Sequence, residues 1–189
     1  PEILRRLAQC DACLIGCGLG RSEGTHAAVQ AVLAHAKCPV VLDADGINVL
    51  QGHIDVLRGA ACPVILTPHD GEFARLAGKP VGENRLQAAR ELSLQTGATV
   101  LLKGHRTVIY GTDRCYVNCT GNPGMATGGS GDVLAGVIVS LLGQGLTPVQ
   151  AAAAGAWLHG AAGDRCARRL GEFGLLPSDL LQELPRLLK

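Results

Sequence analysis

Aromatic residues are scarce: of 189 residues only Phe73, Tyr110, Tyr116, Trp157 and Phe173 carry such rings. The 47% of hydrophobic residues are therefore largely Ala, Val and Leu, which suits an α/β protein. Charge of one sign is missing too. Lys and Arg number 17 against 16 Asp and Glu, and no basic stripe is present, which speaks against a nucleic-acid partner. No apolar run is long enough to span a membrane; the most apolar one, Val133 to Leu142, reads as a buried helix. The opening Pro1-Glu-Ile-Leu-Arg-Arg is charged and helix-like, unlike a secretory leader. Met125 is the sole methionine, so the expectation is a part of a longer, cytoplasmic polypeptide.

What is abundant is glycine, 26 residues, and cysteine, eight. Cys10 and Cys13 have C-x2-C spacing, and Cys115 and Cys119 are four positions apart, which raises structural zinc. Cys13 belongs to an apolar strand pattern, however, and the second pair flanks another. Small buried hydrophobes are the expected role, and without a secretory signal disulfides are not expected.

Strand and helix patterns alternate along the chain. Short apolar runs at Ala12–Ile15, Pro39–Asp43, Pro63–Thr67 and Ala98–Lys103 read as buried parallel strands. Helices are predicted from about Thr25, a plausible cap, to Ala36, and from Asn84 to Gln95 with Leu86, Ala89, Arg90 and Leu94 along one side. Thr107–Tyr110 and Cys115–Asn118, joined by a polar turn, predict a hairpin. Thr147-Pro148 opens a last long helix whose Gly155, Gly160 and Gly163 suggest close packing. Helices on both faces of a mostly parallel sheet follow, and ligands of such sheets bind beyond the C-terminal strand ends.

The strongest signal is Pro123-Gly-Met-Ala-Thr-Gly-Gly-Ser-Gly-Asp132-Val-Leu-Ala135. A glycine turn feeds a helix whose first N–H groups lack partners, an arrangement suited to phosphate. A carboxylate there would repel phosphate, so Asp132 is read as a base beside the attacked phosphoryl group. Its alternative is a helix cap. Gly16-Cys-Gly18-Leu-Gly20, with Asp43 ending the next strand, hints at a dinucleotide fold, but Arg21 stands where the fingerprint needs glycine. Thr67-Pro-His69-Asp-Gly-Glu72 places imidazole and carboxylate at a strand end. Glu72 could reach Mg²⁺ through water, or simply favour a helix start. Lys103-Gly104-His-Arg-Thr107 offers nucleotide phosphate a cation, with a solvated lysine as the alternative. Asp43-Ala-Asp45-Gly-Ile-Asn48 shapes the same rim, and His26, His35, His53 and His159 read as structural.

Together these motifs resemble the ADP-dependent NAD(P)H-hydrate dehydratase family of the ribokinase-like superfamily. The carrying residues are Gly16 to Gly20, Leu42 to Asn48, Leu66 to Glu72, Leu102 to Gly104 and Gly121 to Gly136, in family order. The resemblance implies a three-layer α/β/α domain over residues 1–189, lacking an N-terminal segment that the family carries. It implies phosphorylation of the hydroxyl of hydrated NADH or NADPH, followed by loss of phosphate, with ADP (or ATP) and Mg²⁺. Asp132 resembles the catalytic, hydrate-contacting aspartate, and Gly18, Gly20 and His69 resemble hydrate-binding positions. Lys103, Gly104, His105, Arg106 and Thr107, with Gly131, resemble the nucleotide-binding set, and Gly129, Ser130 and Gly131 the anion hole. A homo-oligomer is expected. Cys17 and Asp70 stand where the family usually has proline. A sugar or vitamin-precursor kinase of the same superfamily, or a non-catalytic nucleotide-binding module, would share the glycine–aspartate turn.

Overall fold

The structure, a computed structural model, describes residues 2–111 and 114–188. Its framework is one sheet in which strand order equals chain order. The strands are β1 (Cys13–Ile15), β2 (Val40–Leu42), β3 (Val64–Leu66), β4 (Thr99–Leu102), β5 (Val108–Gly111) and β6 (Arg114–Val117). β1 to β4 are parallel, and β5 and β6 add in antiparallel sense. The expected hairpin is present; of its turn, Thr112 and Asp113 lie outside the described residues. A Rossmann sheet reverses its strand order part-way, and this one does not, so the incomplete glycine fingerprint belongs to a different fold.

Side-chain alternation on the strands sorts the core into two layers. Val40, Leu42, Val64, Leu66, Val100 and Leu102 face one helical layer, made of α1 (Glu2–Leu7), α2 (Glu23–His35), the short α3 (Asp45–Asn48) and α4 (Asp55–Arg58), α5 (Asp70–Ala77) and α6 (Arg85–Thr96). Val41, Ile65 and Leu101 face α7 (Ser130–Gly143) and α8 (Pro148–Leu170). Every one of these strand residues is at most 5% exposed. Burial on both faces explains why the strands read as continuous apolar runs rather than alternating ones. A third cluster, including Cys166 and Leu180, joins α8 to α9 (Pro177–Leu187). The expected close packing of α8 is real at Gly155, where a β-carbon would lie 2.6 Å from Ile138 of α7.

Three local expectations need correction. α2 begins before Thr25: Ser22 is its cap, and its Oγ accepts the Thr25 N–H at 3.1 Å. The buried face of α6 is Ala88, Ala89, Leu92, Ser93 and Thr96, whereas Leu86 and Leu94 are exposed. Ser93 and Thr96 tolerate burial because their hydroxyls donate to the Ala98 and Leu92 carbonyls, both at 2.7 Å. The cysteines are not uniformly buried either. All eight are free thiols; Cys38 and Cys166 are buried, Cys13 and Cys62 half-buried, and Cys10, Cys17, Cys115 and Cys119 exposed. Cys115 lies on β6, an edge strand exposed along its whole length, and Cys119 follows it.

Candidate active site

Strand ends β1 to β4 and the start of α7 meet in one cluster of charges. Asp43, directly after β2, is 2% exposed, and its Oδ1 accepts from the Thr67 hydroxyl at 2.8 Å and from Lys103 Nζ at 2.7 Å. The same ammonium lies 3.5 Å from Glu72 Oε2. Gly16 makes this convergence possible: a β-carbon there would overlap the Asp43 carbonyl, so glycine lets the β1 loop pass against the β2 loop. The next residue, Ala44, sits at φ 47° and ψ −119°, strained backbone for a residue with a side chain.

His69 and Glu72 form a reciprocal cap at the start of α5. His69 Nδ1 accepts from the Gly71 and Glu72 amides at 2.9 and 3.4 Å, while Glu72 Oε2 accepts the His69 N–H at 2.9 Å. An accepting Nδ1 leaves the proton of the neutral ring on Nε2, which is 3.4 Å from Glu72 Oε1. Glu72 is buried and engaged by both His69 and Lys103.

At α7 the cap is Gly129, at φ 92°, and Asp132 is the third residue of the helix. The capping alternative for Asp132 is thus corrected: the turn reaches helical geometry two residues before it. The Ser130 amide donates to the Thr127 carbonyl at 3.2 Å, leaving Gly131 and Asp132 as the first-turn amides without intrahelical acceptors. A β-carbon on Gly131 would lie 3.5 Å from Lys103 Nζ and 3.8 Å from Asp43 Oδ2, so the first turn of α7 abuts the buried ion pair. Asp132, Asp43 and Cys17 bring ligand-type atoms within 4.8 Å of one another. Partial burial and the neighbouring carboxylates Asp132 and Asp43, the second of which accepts from its Sγ at 3.9 Å, push the Cys17 thiol up to about 12, so it stays protonated at neutral pH.

The glycine loop is pinned from outside. Asp45 accepts from the Gly20 amide at 3.0 Å and from Arg21 Nε at 2.9 Å, and Arg21 and Asn48 hold its carboxyl below the ordinary range. His105 and Arg106 stand apart from the charge cluster and line an open cleft of about 630 Å³ with Asn84, Arg85, Val108 and Val117. Sequence reasoning missed Arg85 and treated His159 as structural. His159 Nε2 lies 3.2 Å from Ser130 Oγ, and burial drives its pKa down to about 4. Neither had a sequence signal, because each acts across 15 or more positions.

A family model described as NAD(P)H-hydrate dehydratase matches residues 2–186. The chain belongs to this family. It is 49% identical over 191 residues to the bifunctional NAD(P)H-hydrate repair enzyme Nnr of Moorella thermoacetica, covering 99% of the chain and 36% of that protein. It is 43% identical over 187 residues to the ADP-dependent (S)-NAD(P)H-hydrate dehydratase of Neisseria meningitidis, covering 95% of the chain and 63% of that protein. Among solved structures, the ADP/ATP-dependent NAD(P)H-hydrate dehydratase of Bacillus subtilis co-crystallised with ATP and Mg²⁺ superposes with a TM-score of 0.84 at 34% identity. That likeness covers 98% of the chain and 68% of the Bacillus one. The chain thus spans about a third to two thirds of the length of these relatives. The dehydratase family fold is ribokinase-like, as the motifs implied.

Proposed function

We propose that the protein, as one domain, restores NADH and NADPH from their (S)-hydrates at the expense of a nucleotide. The observation that carries this reading is the convergence of Asp132, the free amides of α7 and Lys103 at the strand ends, within a chain matched along nearly its whole length by the dehydratase family. The hydrate sits against Gly18, Gly20, His69 and Asp132. The nucleotide lies along Lys103 to Thr107, its ribose and base in the cleft beside His105 and Arg106, its terminal phosphate over Gly129 to Gly131.

Asp132 takes the proton of the hydrate hydroxyl as that oxygen attacks the terminal phosphorus of ADP, and AMP departs with the electrons of the broken P–O bond. The Gly131 and Asp132 amides stabilise the charge that builds on the phosphoryl oxygens. Phosphate then leaves with the former hydroxyl oxygen, and loss of a proton from the adjacent carbon restores the double bond. His69, with its proton on Nε2, presents a donor to the bound hydrate.

Charge balance supports a divalent cation. Asp43 and Glu72 share a single ammonium, Lys103, and Asp132 lies beside Asp43, so an anionic nucleotide entering alone would meet net negative charge. Mg²⁺ prefers one or two carboxylates together with phosphates, and the donor set fits it. Glu72 would reach it through water, and the Asp43 and Asp132 oxygens lie close by. Bound there, Mg²⁺ would neutralise the transferring phosphoryl group. No described helix is long and apolar enough to cross a membrane; a cytoplasmic location, where these substrates occur, is proposed with it. A homo-oligomer is also proposed, supported by the exposed edge strand β6 with Tyr116 and Val117, and light scattering checks it.

Hydrated NADH, ADP and Mg²⁺ supplied to the full-length protein should yield NADH, AMP and phosphate in equal amounts, and a chelator should suppress the yield. Phosphate retained on the product would favour a kinase. Bound ADP with no turnover would favour a binding module. Parallel assays with ATP set the nucleotide preference.

A further inference from the structure

Arg85 opens α6 and joins two loops that come from other strands. Its Nη2 donates to the Lys103 carbonyl at 2.7 Å, and its Nη1 to both Asp70 oxygens at 2.8 and 3.0 Å. Its Nε is buried with no hydrogen-bond partner among the described residues. Gly104 packs against the guanidinium so tightly that a β-carbon would come within 2.7 Å of Nη2.

The contact with Asp70 adds little to stability. The Asp70 side chain is 61% exposed, and ion pairs of that kind contribute little. A buried donor without an acceptor is a cost. What the contacts do fix is geometry. Lys103 is held at its amide by the Pro68 carbonyl at 2.8 Å, at its ammonium by Asp43, and at its carbonyl by Arg85. Two of these three anchors, the first and the last, tie the Lys103 loop to the Pro68–Glu72 segment, directly or through Asp70. Beyond Lys103 the chain passes through Arg106 at φ 54°, a conformation that an unanchored loop would leave readily.

We propose that Arg85 is a positioning residue for nucleotide binding: by bridging Asp70 and the Lys103 carbonyl it holds Lys103–Thr107 in the shape the nucleotide requires. This rests on the reading of Lys103–Thr107 as the nucleotide stretch. Without Arg85 the loop must be ordered by the ligand, and affinity falls by the cost of that ordering.

The test uses the full-length protein and its Arg85→Ala, Arg85→Lys and Asp70→Asn variants. ADP affinity is measured by calorimetry, amide exchange of residues 104–107 without nucleotide, and thermal unfolding alongside. Arg85→Ala should weaken ADP binding about tenfold, the loss of one charge-assisted hydrogen bond, and should speed exchange in the stretch. The KM for ADP should rise by more than kcat falls. Arg85→Lys, which can reach one partner but not both, should recover part of the affinity. Asp70→Asn should weaken ADP by about two- to threefold, as befits an exposed ion pair. Lower thermal stability with unchanged ADP affinity and unchanged exchange would make Arg85 purely structural and overturn the proposal. Wild-type protein that binds no ADP would instead overturn the nucleotide reading, and this inference with it.

Discussion

Two buried carboxylates at different places in the molecule solve the same problem in opposite ways. Glu183 of α9 is 3% exposed and meets three guanidiniums, Arg186 at 2.8 Å and Arg165 and Arg169 at 3.7 Å. Those arginines keep 41–59% of their side-chain surface in solvent. Asp43 is as deeply buried but shares one ammonium with Glu72, and Lys103 is itself only 19% exposed. Where the carboxylate only fastens helices, cations are in surplus and each is replaceable. Where it belongs to the proposed site, cation is in deficit and the remaining positive charge must come with the ligands.

The largest effect should separate catalysis from this charge balance. Asp132→Asn removes one negative charge from the deficient cluster, so electrostatics alone predicts an equal or stabler fold and retained nucleotide binding. Turnover should nevertheless fall about 10²–10⁴-fold, the usual contribution of a positioned base. Steady-state assay beside calorimetry checks both, and near-normal turnover would remove Asp132 from the chemistry.

Lys103→Ala comes next, because it strips Asp43 and Glu72 of their shared cation. Breaking a buried pair typically costs about 3–5 kcal/mol, measurable by urea unfolding. Nucleotide affinity should fall about ten- to a hundredfold, with Lys103→Arg as the variant that keeps charge if the alanine form does not fold.

A smaller effect is set by pH. Burial holds His159 neutral down to about pH 4, whereas in the unfolded chain it titrates near its ordinary 6.5. Between these values the unfolded state binds the proton that the native state refuses. Stability is therefore fully present above about pH 6.5 and declines as pH falls toward 4, by about 2–3 kcal/mol from this residue. His159→Gln should flatten that part of the stability profile; an unchanged slope would assign it to other groups.

The smallest effects belong to the surplus side. Arg165→Ala and Arg169→Ala should each cost less than about 1 kcal/mol, since partly exposed pairs contribute little and two guanidiniums remain. A loss comparable to that of Lys103→Ala would erase the contrast between the two carboxylates.

Elements whose signal is local were legible in the sequence. The parallel strands announced themselves as short apolar runs, the His69–Glu72 pair lies at a strand end as expected, and the glycine–aspartate turn feeds a helix as expected. Ser22 and the true face of α6 were hidden because capping and buried hydroxyls depend on hydrogen bonds that residue type alone leaves open. Asp43 was read as shaping the rim, yet it anchors Lys103, a partner 60 positions away. Arg85 and His159 escaped for the same reason: an arginine after a helix cap or a histidine in an alanine-rich helix looks ordinary until the neighbouring loop is in place.

The loop from Lys103 to Thr107 joins two strands paired in antiparallel register, Leu102 opposite Val108 and Leu101 opposite Ile109. Val108 packs into one core layer and Ile109 into the other. Inserting or deleting a single residue in this loop would slip the register and trade those two side chains between faces. The length of this stretch is therefore set by the sheet on either side, apart from any demand on its residues.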